Sequence, residues 1–303
     1  MKLILSSLTS VLLLIAVAGL SAAPTPDELA RIKAAVPSKA SAKPHKPRKL
    51  LVFSRAWGYW HTAIPYGEAA IRMMGEKTKA FDATITNDDS FFEPDRLAKF
   101  DAVVFNNTNN EIFLPENFSK LPPAGQEKAN ARDTLLKKSL RGFLSDGKGL
   151  MVIHAGIASF RKWPEYGAIV GARFESHPWN AGLTVTLKIE DPEHCLCHAF
   201  PSDRFTVTDE IYQFKEFDRK QLRVLFSLDT TGMDLAKIKG IRRTDRDFAL
   251  SWIKNYGKGR VFYSALGHQH DIFWNPTVLQ HYLDGIQFAL GDLTATTESI
   301  PAR

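Results

Sequence analysis

Three short apolar runs constrain this chain more than anything else in it: "KLLVF" at 49–53, "DAVVFNNT" at 101–108 and "GLMVIHAG" at 149–156. Each is almost continuous in Val, Leu, Ile and Phe and then breaks off into polar or small residues. Strands buried on both faces of a parallel sheet read this way. Helical stretches separate them. "IPYGEAAIRMMGEK" carries Pro65 in its first turn, and in "DTLLKKSLRGFLSDGKG" Leu136, Leu140, Phe143 and Leu144 share one face while Gly147 suits the C-terminal stop. With a weaker strand at "DATIT", the alternation predicts an α/β fold with helices on both faces of a parallel sheet.

The second half is richer in strands. "LTVTLKIE" alternates by twos, "EIYQF" and "LRVLFSLD" follow, and "FALSWIKNYGKGRVFYSALG" reads as two strands joined by a tight Tyr-Gly-Lys-Gly turn. These extend the same sheet rather than start a second domain. A closing helix, "PTVLQHYLDGIQFAL", opens on Pro276.

The first residues, "MKLILSSLTSVLLLIAVAGLSAAP", place Lys2 before a long apolar run that ends in Ser21, Ala22 and Ala23. This is the pattern of a secretory signal peptide, with a retained membrane anchor as the alternative. The expected organisation is a signal peptide at 1–23, a flexible Pro/Ala/Ser/Lys linker at 24–48, one domain at 49–292 and a C-terminal tail at 293–303. Export to the periplasm or outside the cell follows, with no membrane contact after cleavage.

The net charge of +6 comes from the N-terminal end: residues 1–49 hold eight Lys/Arg against two Asp/Glu, which leaves 39 − 8 = 31 basic and 33 − 2 = 31 acidic residues in 50–303. A neutral domain without zinc-finger or RNA-binding signatures argues against a nucleic-acid partner. No P-loop, G-x-S-x-G elbow or credible G-x-G-x-x-G turn is present, so no nucleotide cofactor is expected. Cys195 and Cys197 lie in "EHCLCHAF" between His194 and His198. One tight cluster could hold a metal, although zinc sites normally draw on two pairs; two unpaired thiols or a strained redox pair are the plainer readings.

Four features fall at expected strand ends or in loops. "SRAWGYWHTAIP" crowds Arg55, Trp57, Tyr59, Trp60 and His61 into one loop, where aromatic rings suit a sugar face or merely cover the sheet edge. His154 ends the strand at 149–153. "FESHPWN", read as a loop, supplies Glu175, His177 and Trp179, and "YSALGHQHD" ends on Gly267, His268 and His270. Histidines from separate strands can converge on one sheet edge and, with a carboxylate from Asp209 or Glu210 in "TDEIYQF", form a transition-metal site or a metal-free acid–base pair.

Taken together, "LVFSRAWGYWHTAIP", "FDAVVFNNT", "GLMVIHAG", "WPEYGAIVGARFESHP", "DPEH" with "FTVTDEIYQF", and "GKGRVFYSALGH" resemble the ThuA-like (trehalose-utilisation) family from about Lys49 to Gly291. The resemblance implies a flavodoxin-like, class I glutamine amidotransferase-like fold: a mostly parallel sheet enlarged by extra strands in the second half. It places His154 where amidotransferase relatives keep their cysteine nucleophile, so glutaminase chemistry is disfavoured. The family's link to sugar catabolism implies glycosides or 3-keto-glycosides as substrates. One departure is His194-Cys195, where the family usually shows His-Pro.

The expected protein is an exported sugar-processing enzyme working by isomerisation, elimination or hydrolysis. Its alternative is a non-catalytic carbohydrate-binding or scaffold module. The expected catalytic set is His154, His268 and Glu210, with Arg55, Trp57, His61, Asp209 and Tyr212 as sugar contacts. His154, His177 and His268 are the expected ligands of a divalent transition metal, zinc first. A homo-oligomer is compatible with this reading.

Overall fold

A computed structural model describes residues 23–302. The signal-peptide assignment of 1–23 therefore lies, apart from Ala23, outside the described residues. Among them, no helix is long and apolar enough to cross a membrane.

The stretch expected as a flexible linker is instead structured. Helix α1 (Pro26–Ala35) starts at a capping box in which the Thr25 side chain accepts from the Glu28 N–H and the Glu28 carboxylate accepts from Thr25. Ile32 and Val36 are buried, packing α1 into the core beside α2 (Ile64–Thr78). Further on, Ser41 and Ala42 bond Gln287, and Arg48 pairs with Asp292 at 2.6 Å. Overall composition hid two well-spaced apolar anchors and a cap, which was enough to order the segment.

The chain continues through β1 (Lys49–Phe53), α2, β2 (Asp82–Thr86), α3 (Pro94–Leu97), β3 (Ala102–Asn106), α4 (Pro123–Ser145) and β4 (Gly149–Ile153). After α5 (Pro164–Val170) come β5 (Arg173–Trp179), β6 (Thr184–Ile189), β7 (Arg204–Thr208), β8 (Ile211–Lys215), β9 (Arg223–Leu228), β10 (Ala249–Tyr256), β11 (Gly259–Ser264) and α6 (Pro276–Leu290). The main sheet has nine strands in the order β2-β1-β3-β4-β11-β10-β9-β6-β7. The first five run parallel, in the 2-1-3-4-5 order of flavodoxin-like folds with β11 as fifth strand, and the remaining four extend the sheet antiparallel.

Both faces of this sheet are covered. On β11, Phe262 meets Gly285 and His281 of α6, while the next residue, Tyr263, packs against Trp252, whose indole N–H bonds the Val170 carbonyl of α5 at 2.7 Å. The approach of α6 is close enough that a Cβ on Gly149 would lie 2.0 Å from the Ala289 carbonyl oxygen.

One expected loop is a strand. "FESHPW" pairs with β8 as a separate two-stranded sheet with irregular register, and its polar, half-exposed residues conceal the alternation that marks a strand. The C-terminal tail is pinned along the antiparallel half: Thr296 O contacts His194 Nε2 at 3.2 Å and Glu298 O accepts from Arg223 at 3.0 Å.

Candidate functional site

Parallel strands place their carboxyl ends on one edge, and three imidazoles rise from that edge here. His61 comes from the loop after β1, His154 directly follows β4, and His268 lies four residues beyond β11. Their ring centroids form a near-equilateral triangle of 5.1, 5.1 and 5.3 Å, with interplanar angles of 80–84°. Glu210, just before β8, closes the group. One ligand atom from each of His61, His154, Glu210 and His268 lies within 4.8 Å of all the others.

Local backbone explains why these side chains project. His154 adopts φ = 45°, a left-handed turn that is uncommon outside glycine and directs its side chain away from the strand line. Its Nδ1 lies 2.6 Å from the Ala265 carbonyl oxygen, which can only accept, so Nδ1 carries a proton and Nε2 is the nitrogen that faces the cluster. The Tyr212 hydroxyl lies 2.9 Å from that Nε2. Gly267, at φ = 131°, lets the β11 loop lie on His154, because a Cβ there would stand 2.9 Å from Ile153 Cγ2 and 3.3 Å from His154 Cβ. Asn107 reaches across from β3 to bond the Gly267 carbonyl at 3.0 Å.

Charge is concentrated at Glu210. Its Oε2 lies 3.4 Å from His154 Nε2 and 3.2 Å from His268 Nδ1, and its Oε1 lies 3.2 Å from His177 Nδ1. Burial works to raise this carboxyl, but contact with His154 and His268 outweighs it and holds the group well below the usual carboxylate range. For His268 burial acts downward, and the Glu210 carboxylate overrides it to raise the imidazole. His61 shows the opposite balance: burial, then the neighbouring His154 and His268 imidazoles, pushes it down to about 2, so it is neutral at pH 7.

Two polar atoms in the group are buried without a hydrogen-bond partner, His61 Nδ1 and His268 Nδ1. The 3.2 Å contact of His268 Nδ1 with Glu210 is electrostatic rather than a well-aimed hydrogen bond. Orphaned buried nitrogens are costly, and three imidazoles with one carboxylate match the donor set of zinc and related ions. The residues present therefore fit a divalent transition metal.

His61, Glu210 and His268 form one wall of a cleft of about 450 Å³, lined also by Tyr59, Asn109, Phe174, His177 and Tyr212, with His154 fully buried behind them. Of the expected sugar contacts, His61 is one of the clustered imidazoles and Tyr212 bonds His154 from the cleft wall. Asp209 does not face the cleft: it is fully buried and accepts N–H groups of Gly267, His268 and Gln269 at 2.7, 3.1 and 2.9 Å. Arg55 and Trp57 turn away as well. Arg55 pairs with Asp89 at 2.8 Å and the Trp57 indole N–H bonds Leu114 O at 2.9 Å, both bordering a separate groove beside α4. Of the expected metal ligands, His177 falls outside the group of four; its side chain is 48% exposed at the cleft mouth.

Sequence reasoning overlooked Tyr59 as an individual. Its ring is 60% exposed, stacks on His268 at 6.2 Å and meets His61 edge-on at 4.7 Å, an unprotected aromatic face at the rim. The Cys195 and Cys197 thiols are free, and their histidine neighbours are committed to backbone, His194 to Thr296 and His198 to Glu193. Among the described residues that segment forms no metal cluster.

A flavodoxin-order sheet with antiparallel extension and imidazoles gathered over its carboxyl edge defines a doubly wound α/β protein with one strand-end site. The chain belongs to the ThuA family, described as trehalose utilisation, which matches residues 49–289. Solved structures agree on the fold. A ThuA-like protein from Bacteroides uniformis ATCC 8492 is 19% identical with a TM-score of 0.61, over 82% of this chain and 93% of that one. Another from Parabacteroides merdae ATCC 43184 is 18% identical with a TM-score of 0.57, over 84% and 98%. The cytoplasmic protein STM1381 of Salmonella typhimurium LT2 is 15% identical with a TM-score of 0.50, over 81% and 99%. No match was found among curated proteins.

Proposed function

We propose that this chain is an exported sugar-processing enzyme that acts on glycosides or their 3-keto derivatives at a divalent-metal centre held by His61, His154, Glu210 and His268, with zinc the favoured ion. The observation that carries this reading is the convergence of four donors within 4.8 Å, one of them with an orphaned buried Nδ1 on His61, at the wall of an open cleft. A family name tied to trehalose use supports a sugar as the substrate. Export rests on the leader-like pattern of residues 1–23.

A carbonyl at ring carbon 3 acidifies the hydrogen on carbon 2. Its removal breaks that C–H bond, leaves the electron pair in an enolate across carbons 2 and 3, and passes the proton to a base. A bound divalent ion would polarise the carbonyl as a Lewis acid. The chain's own groups do the rest: the half-exposed His177, outside the donor set, is the imidazole open to the cleft for the proton, and the Tyr212 hydroxyl stands beside His154. Tyr59 offers a ring for the sugar's apolar face. A pocket that only bound sugar would have no need of a buried carboxylate facing three imidazoles.

Elemental analysis of protein purified without affinity-tag metals, before and after chelation, combined with turnover of 3-keto-glycosides, tests the reading. Expected are near-stoichiometric zinc or another transition metal and activity that chelation removes. Undiminished turnover in metal-free protein, or in His154→Ala, would sink it.

A further inference from the structure

The cleft does not end at the imidazoles. A second cavity of about 240 Å³ lies against it, and Ala158, Arg161 and Phe174 line both. Its remaining wall brings in Arg173, Glu175 and Lys215. Arg173 is already paired with Glu216 at 3.3 Å, and Glu175 with Arg242 at 3.5 Å. Arg161 lies over the Phe174 ring at 5.8 Å and spends only its Nε–H, on the Ala158 carbonyl at 3.3 Å. Neither Arg161 nor Lys215 has a carboxylate partner among the described residues.

Residues 50–303 balance 31 basic against 31 acidic groups, and Arg55, Arg132, Arg219, Arg223 and Arg243 all pair with carboxylates. Two uncompensated cations on one small cavity make a local positive field, and a guanidinium presents a planar fork that fits carboxylate or phosphate oxygens. At about 240 Å³ the cavity is below the usual size for a whole ligand, ~300–1,000 Å³, and so suits a substituent.

We propose that this annex receives a negatively charged substituent of the substrate, a carboxylate or phosphate, while the sugar ring that bears it lies over the imidazole cluster. The proposal rests on the sugar reading above and narrows it to acidic sugars.

Titration calorimetry with methyl β-D-glucoside, methyl β-D-glucuronide and glucose 6-phosphate, at about 20 mM and about 0.3 M salt, tests it. At low salt at least one charged ligand is expected to bind about tenfold or more tightly than the neutral glycoside. Whichever charged ligand leads identifies carboxylate or phosphate. The ratio of affinities should shrink at high salt and collapse toward one in Arg161→Ala, with Arg161→Lys and the surface change Lys215→Ala intermediate. Equal binding of charged and neutral ligands, or a ratio that Arg161→Ala and Lys215→Ala leave unchanged, overturns the annex while the sugar reading stands. Binding of none of the three overturns both.

Discussion

Asp209 accepts the backbone N–H of His268 at 3.1 Å, so the residue preceding the cluster's only carboxylate holds the residue bearing one of its imidazoles. The same carboxylate takes the N–H groups of Gly267 and Gln269. Asp209→Ala leaves three donors without their acceptor and should destabilise the protein by about 3 kcal/mol, with Asp209→Asn intermediate. Denaturant unfolding checks this; a loss below about 1 kcal/mol would show that the clamp is dispensable.

The structure separates His61, expected as a sugar contact, from His177, expected as a metal ligand. His61 is inside the donor group and His177 is at the cleft mouth. In zinc competition titrations His61→Ala should weaken binding by about 100-fold or more, and His177→Ala, which removes only a neighbour of Glu210, by about tenfold or less. The reverse order would restore His177 as a ligand.

Gly267→Ala probes the contact between the β11 loop and His154. The backbone there is at φ = 131°, and the new methyl would stand 2.9 Å from Ile153 Cγ2. A cost of about 2–4 kcal/mol is expected, together with weaker metal binding as His154 is displaced. Unaltered stability and metal affinity in calorimetric scans would contradict the close packing described.

Asp284, under the ordered segment that precedes β1, supplies a pH signature. Burial raises its carboxyl from 3.8 to about 6, while bonds from Ser41 and Gln280, and then the neighbouring His198, pull the other way. Because the folded value is the higher one, the stabilisation is complete below about 3.8 and is lost as pH rises through about 6. The span corresponds to about 3 kcal/mol. Stability of the wild type relative to Asp284→Asn should therefore fall between pH 4 and pH 6, read by urea unfolding across that range. Parallel curves for the two proteins would count against it.

Much of the fold was legible because buried parallel strands announce themselves: "KLLVF", "AVVFN" and "GLMVI" each became a strand of a parallel sheet. Where side chains are not fully buried the signal weakens, and β5 passed for a loop. The N-terminal helix was missed because two anchors, Ile32 and Val36, vanish within a Lys/Pro/Ala average. His154, His268 and Glu210 were singled out from strand ends and do meet. The residues within one loop were harder, since a single backbone turn at Gly58, φ = 75°, separates Arg55 and Trp57 from Tyr59 and His61. Adjacent Asp209 and Glu210 likewise point to different environments, which residue type alone does not reveal.

The left-handed backbone at His154 has a consequence for how such a site can change over time. A hinge that throws one side chain out from the end of a buried strand is indifferent to the chemistry of what it throws. Replacing the imidazole by a thiol would alter the reactive group without rebuilding the scaffold, so an imidazole-bearing and a thiol-bearing version of this architecture would differ by a single codon at one position.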